Sequence, residues 1–188
     1  MTRADIIKKR KALDAITRIK ESDMIADKLF TLDEFKKAKT LLVYADHNGE
    51  VATDKIICTA LLDGKKVYAP VCLNDNTLQF YRVYALEEME SSTYGIREPL
   101  RIEYLKLSAD DTDCDTLCIT PGTVFDIECN RMGYGKGYYD RFFATNPIPY
   151  RIGLAYDFQI MEHIDSKDTD IPMSAVITPT RIIKAHGL

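Results

Sequence analysis

At 188 residues the chain is long enough for one domain with a substantial core, and its 46% hydrophobic and 29% charged residues are ordinary globular values. A net charge of −4 and a pI near 5.4 argue against general affinity for nucleic acid or an anionic membrane. No apolar run approaches the roughly 20 residues that span a bilayer, and MTRADIIKKRKALDAI lacks the apolar stretch of a signal peptide, so the expected compartment is the cytoplasm.

The first 40 residues read as helical. Ile6, Leu13 and Ile16 recur at helical spacing, and the pattern resumes in SDMIADKLF after Ser22, a candidate N-cap. The cationic residues at 8–11 read as a solvated face. The period then changes. TLLVYA (40–45) is a short apolar run of strand type, followed by the polar loop DHNGEVA (46–52). TDKIICTALLDG (53–64) reads as a helix with Thr53 at its N-cap and Gly64 as its stop, and KKVYAPV (65–71) as another strand. A strand–helix–strand unit of about 30 residues favours a parallel pair with a right-handed crossover.

Farther on, TLQFYRVYAL (77–86) alternates like a strand with one wetter face, and DTLCITP (115–121) reads as a buried strand. A glycine-rich loop follows, then YYDRFFAT as a short helix, YRIGLAYD as a strand, and SAVITPT (174–180) as the last strand. This alternation predicts an α/β fold: a single three-layer αβα domain over residues 1–188 with a mainly parallel central sheet. Ligands in such folds gather beyond the carboxyl ends of the parallel strands, which points to the loops 46–52 and 121–137.

The five cysteines (Cys58, Cys72, Cys114, Cys118, Cys129) form no C-x-x-C and read as buried structural thiols. His47, His163 and His186 are isolated, without an H-E-x-x-H, which argues against a histidine-based metal site.

NRMGYGKGYYDRFF (130–143) is unlike any other stretch. Gly133, Gly135 and Gly137 in alternation can turn successive amide N–H groups toward one anion, and the helix that follows adds its free N–H groups and positive dipole end. Arg131, Lys136 and Arg141 supply full charges beside this cradle, which together describe a phosphate site. Neither the Walker spacing nor G-x-G-x-x-G is met. A plain glycine-rich turn with the tyrosines as core is the bland alternative. Asp140, one turn into the helix, can bind Mg²⁺ beside nucleotide phosphates, or simply favour the helix dipole. Asp165, Asp168 and Asp170 offer a further metal ligand or a solvated acidic loop, and Glu50 can accept bonds from the amine and amide donors of a substrate.

With these residues in hand, the chain resembles the 5-formyltetrahydrofolate cyclo-ligase family. PGTVFDIECNRMGYGKGYYDRF is similar to the family signature, and GEVATDKIICTALLDGKKVYAP, GIREP (95–99) and LAYDFQ (154–159) are similar to other family segments. The resemblance implies Mg²⁺- and ATP-dependent conversion of 5-formyltetrahydrofolate to 5,10-methenyltetrahydrofolate, ADP and phosphate through a phosphorylated formyl group. It implies that Arg3 and the run Arg131, Met132, Gly133, Tyr134, Gly135, Lys136, Gly137, Tyr138 and Tyr139 hold ATP, with Lys136 and Arg131 catalytic. It implies that Glu50, Ala45, Tyr134, Lys136 and Tyr138 border the folate, and that Asp140 and Asp170 bind the metal. A monomer is expected, with a homodimer as the alternative.

The chain departs from the family pattern at three points. A family lysine lies a few residues ahead of the arginine matched by Arg3, where the chain begins too late to supply it, so either the site manages with fewer cations or the start is short. Ser174 stands where an aspartate is common, and Lys167 or Thr169 replaces a histidine. A sugar-phosphate isomerase or acyl-CoA transferase would use a related layout without ATP turnover, and a non-catalytic folate- or nucleotide-binding module would keep the cradle but not depend on Lys136.

Overall fold

The computed structural model describes residues 2–92 and 95–185; His186 lies outside them. Thr2 caps helix α1 (Arg3–Lys11): its hydroxyl accepts the Asp5 N–H at 3.2 Å while the Asp5 carboxylate accepts the Thr2 N–H at 2.8 Å. Asp14 caps α2 (Ala15–Thr31) by accepting the Thr17 N–H at 2.9 Å. Helix α2 therefore runs straight through Ser22. That residue is no N-cap; its buried hydroxyl accepts the Ala52 N–H at 2.9 Å.

After the short helix α3 (Asp33–Lys37) come β1 (Thr40–Val43), α4 (Asp54–Leu62), β2 (Lys66–Cys72) and β3 (Leu78–Val83). Two short strands follow, β4 (Glu90–Ser91) and β5 (Arg97–Glu98), then β6 (Thr116–Thr120) and the hairpin β7 (Val124–Asp126) and β8 (Arg131–Met132). Helix α5 (Tyr138–Thr145) leads to β9 (Tyr150–Leu154), β10 (Ile160–Met161), β11 (Ala175–Ile177) and β12 (Ile182–Lys184). Thr53 does precede α4, but its hydroxyl donates to the Tyr44 carbonyl rather than capping the helix. SAVITPT is not the last strand. The turn at Thr178–Arg181 reverses the chain so that β12 pairs antiparallel with β11.

The main sheet runs β12-β11-β9-β6-β1-β2-β3. Strands β2, β1, β6, β9 and β11 are mutually parallel, and the edges β3 and β12 are antiparallel. Each inner strand is buried on both faces, which explains the near-continuous apolar runs. Leu41, Val43, Leu117 and Ile119 pack with Ile25 and Leu29 of α2, Phe35 of α3 and Ile56 of α4 on one face. Leu42 and Cys118 pack with Phe142 and Phe143 of α5 on the other. Each such fully buried side chain contributes ~1.5–3 kcal/mol.

Strand β1 leads to β2 on one side, while β6 returns to its other side. The loops after β1 and β6 thus leave the carboxyl edge of neighbouring strands in different directions, opening a crevice at the switch point. Phe125 of β7 seats the second loop over this edge. A Cβ on Gly122 or Gly153 would come within 2.4 Å of the Phe125 ring, so both positions exclude larger residues.

Candidate active site

The loop after β1 is tied down before any ligand enters. Asp46 receives Arg18 and Arg97 at 3.3 Å each and the Thr53 N–H at 3.3 Å, and the Tyr44 hydroxyl donates to the Val51 carbonyl at 2.9 Å. Within this frame Glu50 is buried, 7% exposed. One carboxylate oxygen accepts the His47 N–H at 3.0 Å; the other accepts the Tyr134 hydroxyl at 3.1 Å. Burial pushes the Glu50 pKa upward, against the opposing pull of the Arg10 guanidinium, the His47 N–H and the Tyr134 hydroxyl. Ala45, two residues past β1, is also buried beside this loop.

The glycine loop crosses from the other side. Gly135 and Gly137 have φ of +91° and +63°, conformations that L side chains rarely adopt, and Gly137 turns the chain into α5. Gly133 has a different purpose: a Cβ there would meet the Arg131 guanidinium at 2.8 Å. The Arg3 guanidinium lies against Gly135, where a Cβ would come within 2.9 Å of it. Lys136 is exposed at the loop's apex, and among the described residues its ammonium has no hydrogen-bonding or ion-pair partner. The nearby Arg141 guanidinium holds the Lys136 carbonyl at 2.5 Å, leaving that side chain outward. Tyr138 is half-buried under the Arg141 guanidinium, 5.9 Å from the ring centre.

Two residues of the run face inward. Tyr139 packs in the core, 5.9 Å from Phe143, with its hydroxyl buried and unpaired among the described residues and its pKa driven up by burial. Arg131 has a side chain only 6% exposed, lies 5.5 Å from the Tyr139 ring and pairs with Asp140 at 2.9 Å. The other Asp140 oxygen accepts the Ile171 N–H at 3.3 Å. Asp140 thus joins Arg131 to the segment beside Asp170, whose own carboxylate accepts the Lys167 N–H at 2.9 Å. Each carboxylate keeps free lone pairs, and Mg²⁺ needs only one or two such ligands beside phosphate oxygens, so the donor set fits that ion. Asp165 and Asp168 are exposed.

The profile of the 5-formyltetrahydrofolate cyclo-ligase family matches residues 1–179. The chain belongs to this family. A probable 5-formyltetrahydrofolate cyclo-ligase of Caenorhabditis elegans is 34% identical over 168 residues, covering 84% of this chain and 81% of that protein. One of Schizosaccharomyces pombe is 31% identical over 180 residues, covering 87% and 86%. The solved 5,10-methenyltetrahydrofolate synthetase of Aquifex aeolicus has a TM-score of 0.82 and 29% identity, covering 99% of this chain and 92% of that one. The glycine loop lies where the order of the parallel strands switches from one side of β1 to the other. No described helix is long and apolar enough to cross a membrane.

Sequence reasoning missed Arg10. Residues 8–11 read as a solvated face, yet Arg10 is 1% exposed and sits between Glu50 and Tyr134. Its signal lies in partners far along the chain, which spacing cannot register. The cysteines also divide: Cys118 and Cys129 are buried, whereas Cys58, Cys72 and Cys114 are exposed, so the expectation of buried thiols holds for two alone. His163 comes close to Asp126 and Glu128, near enough to share an ion. Asp126, however, already accepts the backbone N–H groups of Glu128, Asn130 and Ile164 and the Asn130 amide, which gives it a structural role.

Proposed function

We propose that this chain, acting as a single catalytic domain in the cytoplasm, uses ATP and Mg²⁺ to convert 5-formyltetrahydrofolate to 5,10-methenyltetrahydrofolate, ADP and phosphate. One observation carries the reading. Tyr134 joins the glycine loop to Glu50, so a phosphate cradle and a buried acceptor for amine and amide donors form one crevice. Family membership supports the substrate; the crevice supports the chemistry.

A formyl amide is a poor electrophile and its oxygen a poor leaving group. In the proposed reaction that oxygen attacks the γ-phosphorus of ATP and the bond to ADP breaks, giving an imidate phosphate. The folate N10 then attacks the former formyl carbon, the C–O bond breaks to release phosphate as the ring closes, and the N10 proton is lost to the departing phosphate. Glu50 orients the pterin by accepting its N–H donors, with Ala45 and Tyr138 bordering it. Lys136, free of protein partners among the described residues, stabilises charge on the migrating phosphoryl group. Arg3, the run from Arg131 to Tyr139 and the amino end of α5 hold the phosphates, Arg131 and Tyr139 from behind the loop. Asp140, with Asp170 on the adjoining segment, would hold Mg²⁺, which supplies neutralisation of phosphate charge.

The test is a continuous near-ultraviolet assay for the methenyl product with purified protein, 5-formyltetrahydrofolate and Mg·ATP, each component omitted in turn. Product growth matched by ADP release is expected. Nucleotide binding without product would move the assignment to a binding module, and product without ATP turnover would overturn the phosphorylated intermediate.

A further inference from the structure

Arg10 is among the largest fully buried side chains of the protein. Its Nε donates to the Asn48 carbonyl at 3.2 Å, one terminal nitrogen to the Gly122 carbonyl at 3.4 Å, and the other to the Tyr134 hydroxyl. Glu50 Oε1 lies 3.8 Å away. One side chain from α1 therefore touches the loop after β1, the turn after β6 and the glycine loop. Burying a guanidinium costs several kcal/mol before pairing, and a leucine would anchor α1 without that cost. Anchoring the helix does not account for a cation at this position.

We propose that Arg10 is a positioning residue for substrate recognition, holding the Tyr134 hydroxyl and the Glu50 carboxylate as one unit across the two ligand loops. The inference rests on the reading that Glu50 and Tyr134 border the folate. A phenol has one proton and two lone pairs, whereas a guanidinium can only donate. Arg10 therefore fixes the direction of the Tyr134 proton, which must point to Glu50. Tyr134 is 48% exposed and flanked by glycines, so few other groups restrain it. With its hydroxyl held and the His47 N–H in place, the remaining Glu50 lone pairs are left for donors on a ligand.

The same arrangement has a pH signature. Glu50 is faced by Arg10 from α1, Tyr134 from the glycine loop, and Tyr44 and Asp46 on its own segment, while the Tyr156 hydroxyl donates to its carbonyl. Burial raises the carboxyl pKa and the Arg10 charge opposes that rise. Removing the charge lets Glu50 protonate at a higher pH, so binding that needs the carboxylate fails sooner on acidification.

The experiment is calorimetric titration of the full-length protein with 5-formyltetrahydrofolate, without nucleotide, from pH ~5 to ~8. Variants are Arg10→Gln, Arg10→Lys, Tyr134→Phe, the Arg10→Lys/Tyr134→Phe pair and Glu50→Gln, with the Kd for a non-hydrolysable ATP analogue measured alongside. Arg10→Gln is expected to weaken folate binding about tenfold and move the acid limb upward, the size of a lost charge-assisted hydrogen bond, with the analogue's Kd, which the Tyr134 loop also serves, changed by a smaller factor. The pair should cost less than the sum of its singles, because both act on one unit. Additive losses, or equal weakening of folate and analogue with a falling Tm, would reduce Arg10 to a structural anchor. Should Arg10→Gln fail to fold, Tyr134→Phe decides, and a parental Kd and acid limb there overturn the proposal. Glu50→Gln binding folate as tightly as the parent would sink the underlying substrate reading instead.

Discussion

The two ends of the parallel strands treat polar groups in opposite ways. At the amino end most are paired within the protein, Arg82 Nε opposite Tyr68 being an exception among the described residues. Asp111 accepts from Ser108 and from Lys66 at 3.1 Å; Lys39 pairs with Asp115 at 2.8 Å; the nearly buried Lys65 donates to the Ala38 carbonyl at 3.0 Å. An open hollow of about 190 Å³ lies there between Leu32, Tyr150 and Ser174. At the carboxyl end, pairing is left incomplete. Three of the five buried side-chain atoms without a partner among the described residues, Thr123 Oγ1, Arg131 Nε and the Tyr139 hydroxyl, belong to the segment carrying the glycine loop. Glu50 there has a raised pKa, whereas Asp111 has a lowered one. Satisfied polar groups hold a sheet together; unsatisfied ones are what a substrate can complete.

The sharpest way to break this contrast is Lys136→Ala. Turnover should fall by about 100-fold or more, as for loss of one preorganised transition-state charge, while the Tm stays within about 2 °C. Undiminished kcat in a folded variant would remove Lys136 from the chemistry. Asp111→Asn should do the converse, costing stability and sparing turnover. Burial opposes ionisation of Asp111, but bonds from Ser108, Lys66 and Tyr68 outweigh it and hold the pKa down to about 2. Its stabilisation is present above the unfolded value near 3.8 and is lost as pH falls through about 2. The difference, about 2 kcal/mol, should appear in denaturant melts at neutral pH and vanish toward pH 2. A variant as stable as the parent at pH 7 would show that these bonds merely offset desolvation.

Smaller effects test the carboxyl end further. Asp140→Asn should raise the Mg²⁺ concentration for half-maximal turnover about fivefold to tenfold, since one ligand loses its charge. An unaltered magnesium titration would leave Asp140 only as the partner of Arg131. Gly135→Ala should cost ~1 kcal/mol of stability for its left-handed backbone. Because the added methyl displaces the Arg3 guanidinium, it should also raise KM for ATP more than for folate. Equal changes in both KM values would separate Arg3 from the nucleotide.

What could be read from the sequence follows the range of the interactions involved. TLLV and TLCIT announce buried parallel strands because both faces are covered, so no polar residue interrupts the run. The alternating glycines announce their loop because backbone geometry is a local property. Ser22 misled because a hydroxyl before an apolar run is a good cap signal, but its partner, Ala52, comes from the loop after β1. The hairpin of β7 and β8 was hidden inside the loop 121–137, its strands being too short to show alternation. The lesson of Arg10 is the same at greater distance. A buried cation among four consecutive basic residues carries no local mark.

That distance sets an order of events during synthesis. Arg10 is made early, yet its carbonyl partner Gly122 lies 112 residues downstream and Tyr134 lies 124. Helix α1 therefore emerges from the ribosome with its charge solvated and cannot settle until the glycine loop has been translated. Loop closure over such a span is entropically costly and waits for the sheet to bring the ends together. The pairing that joins the earliest helix to the crevice can therefore form only after Tyr134 has been synthesised.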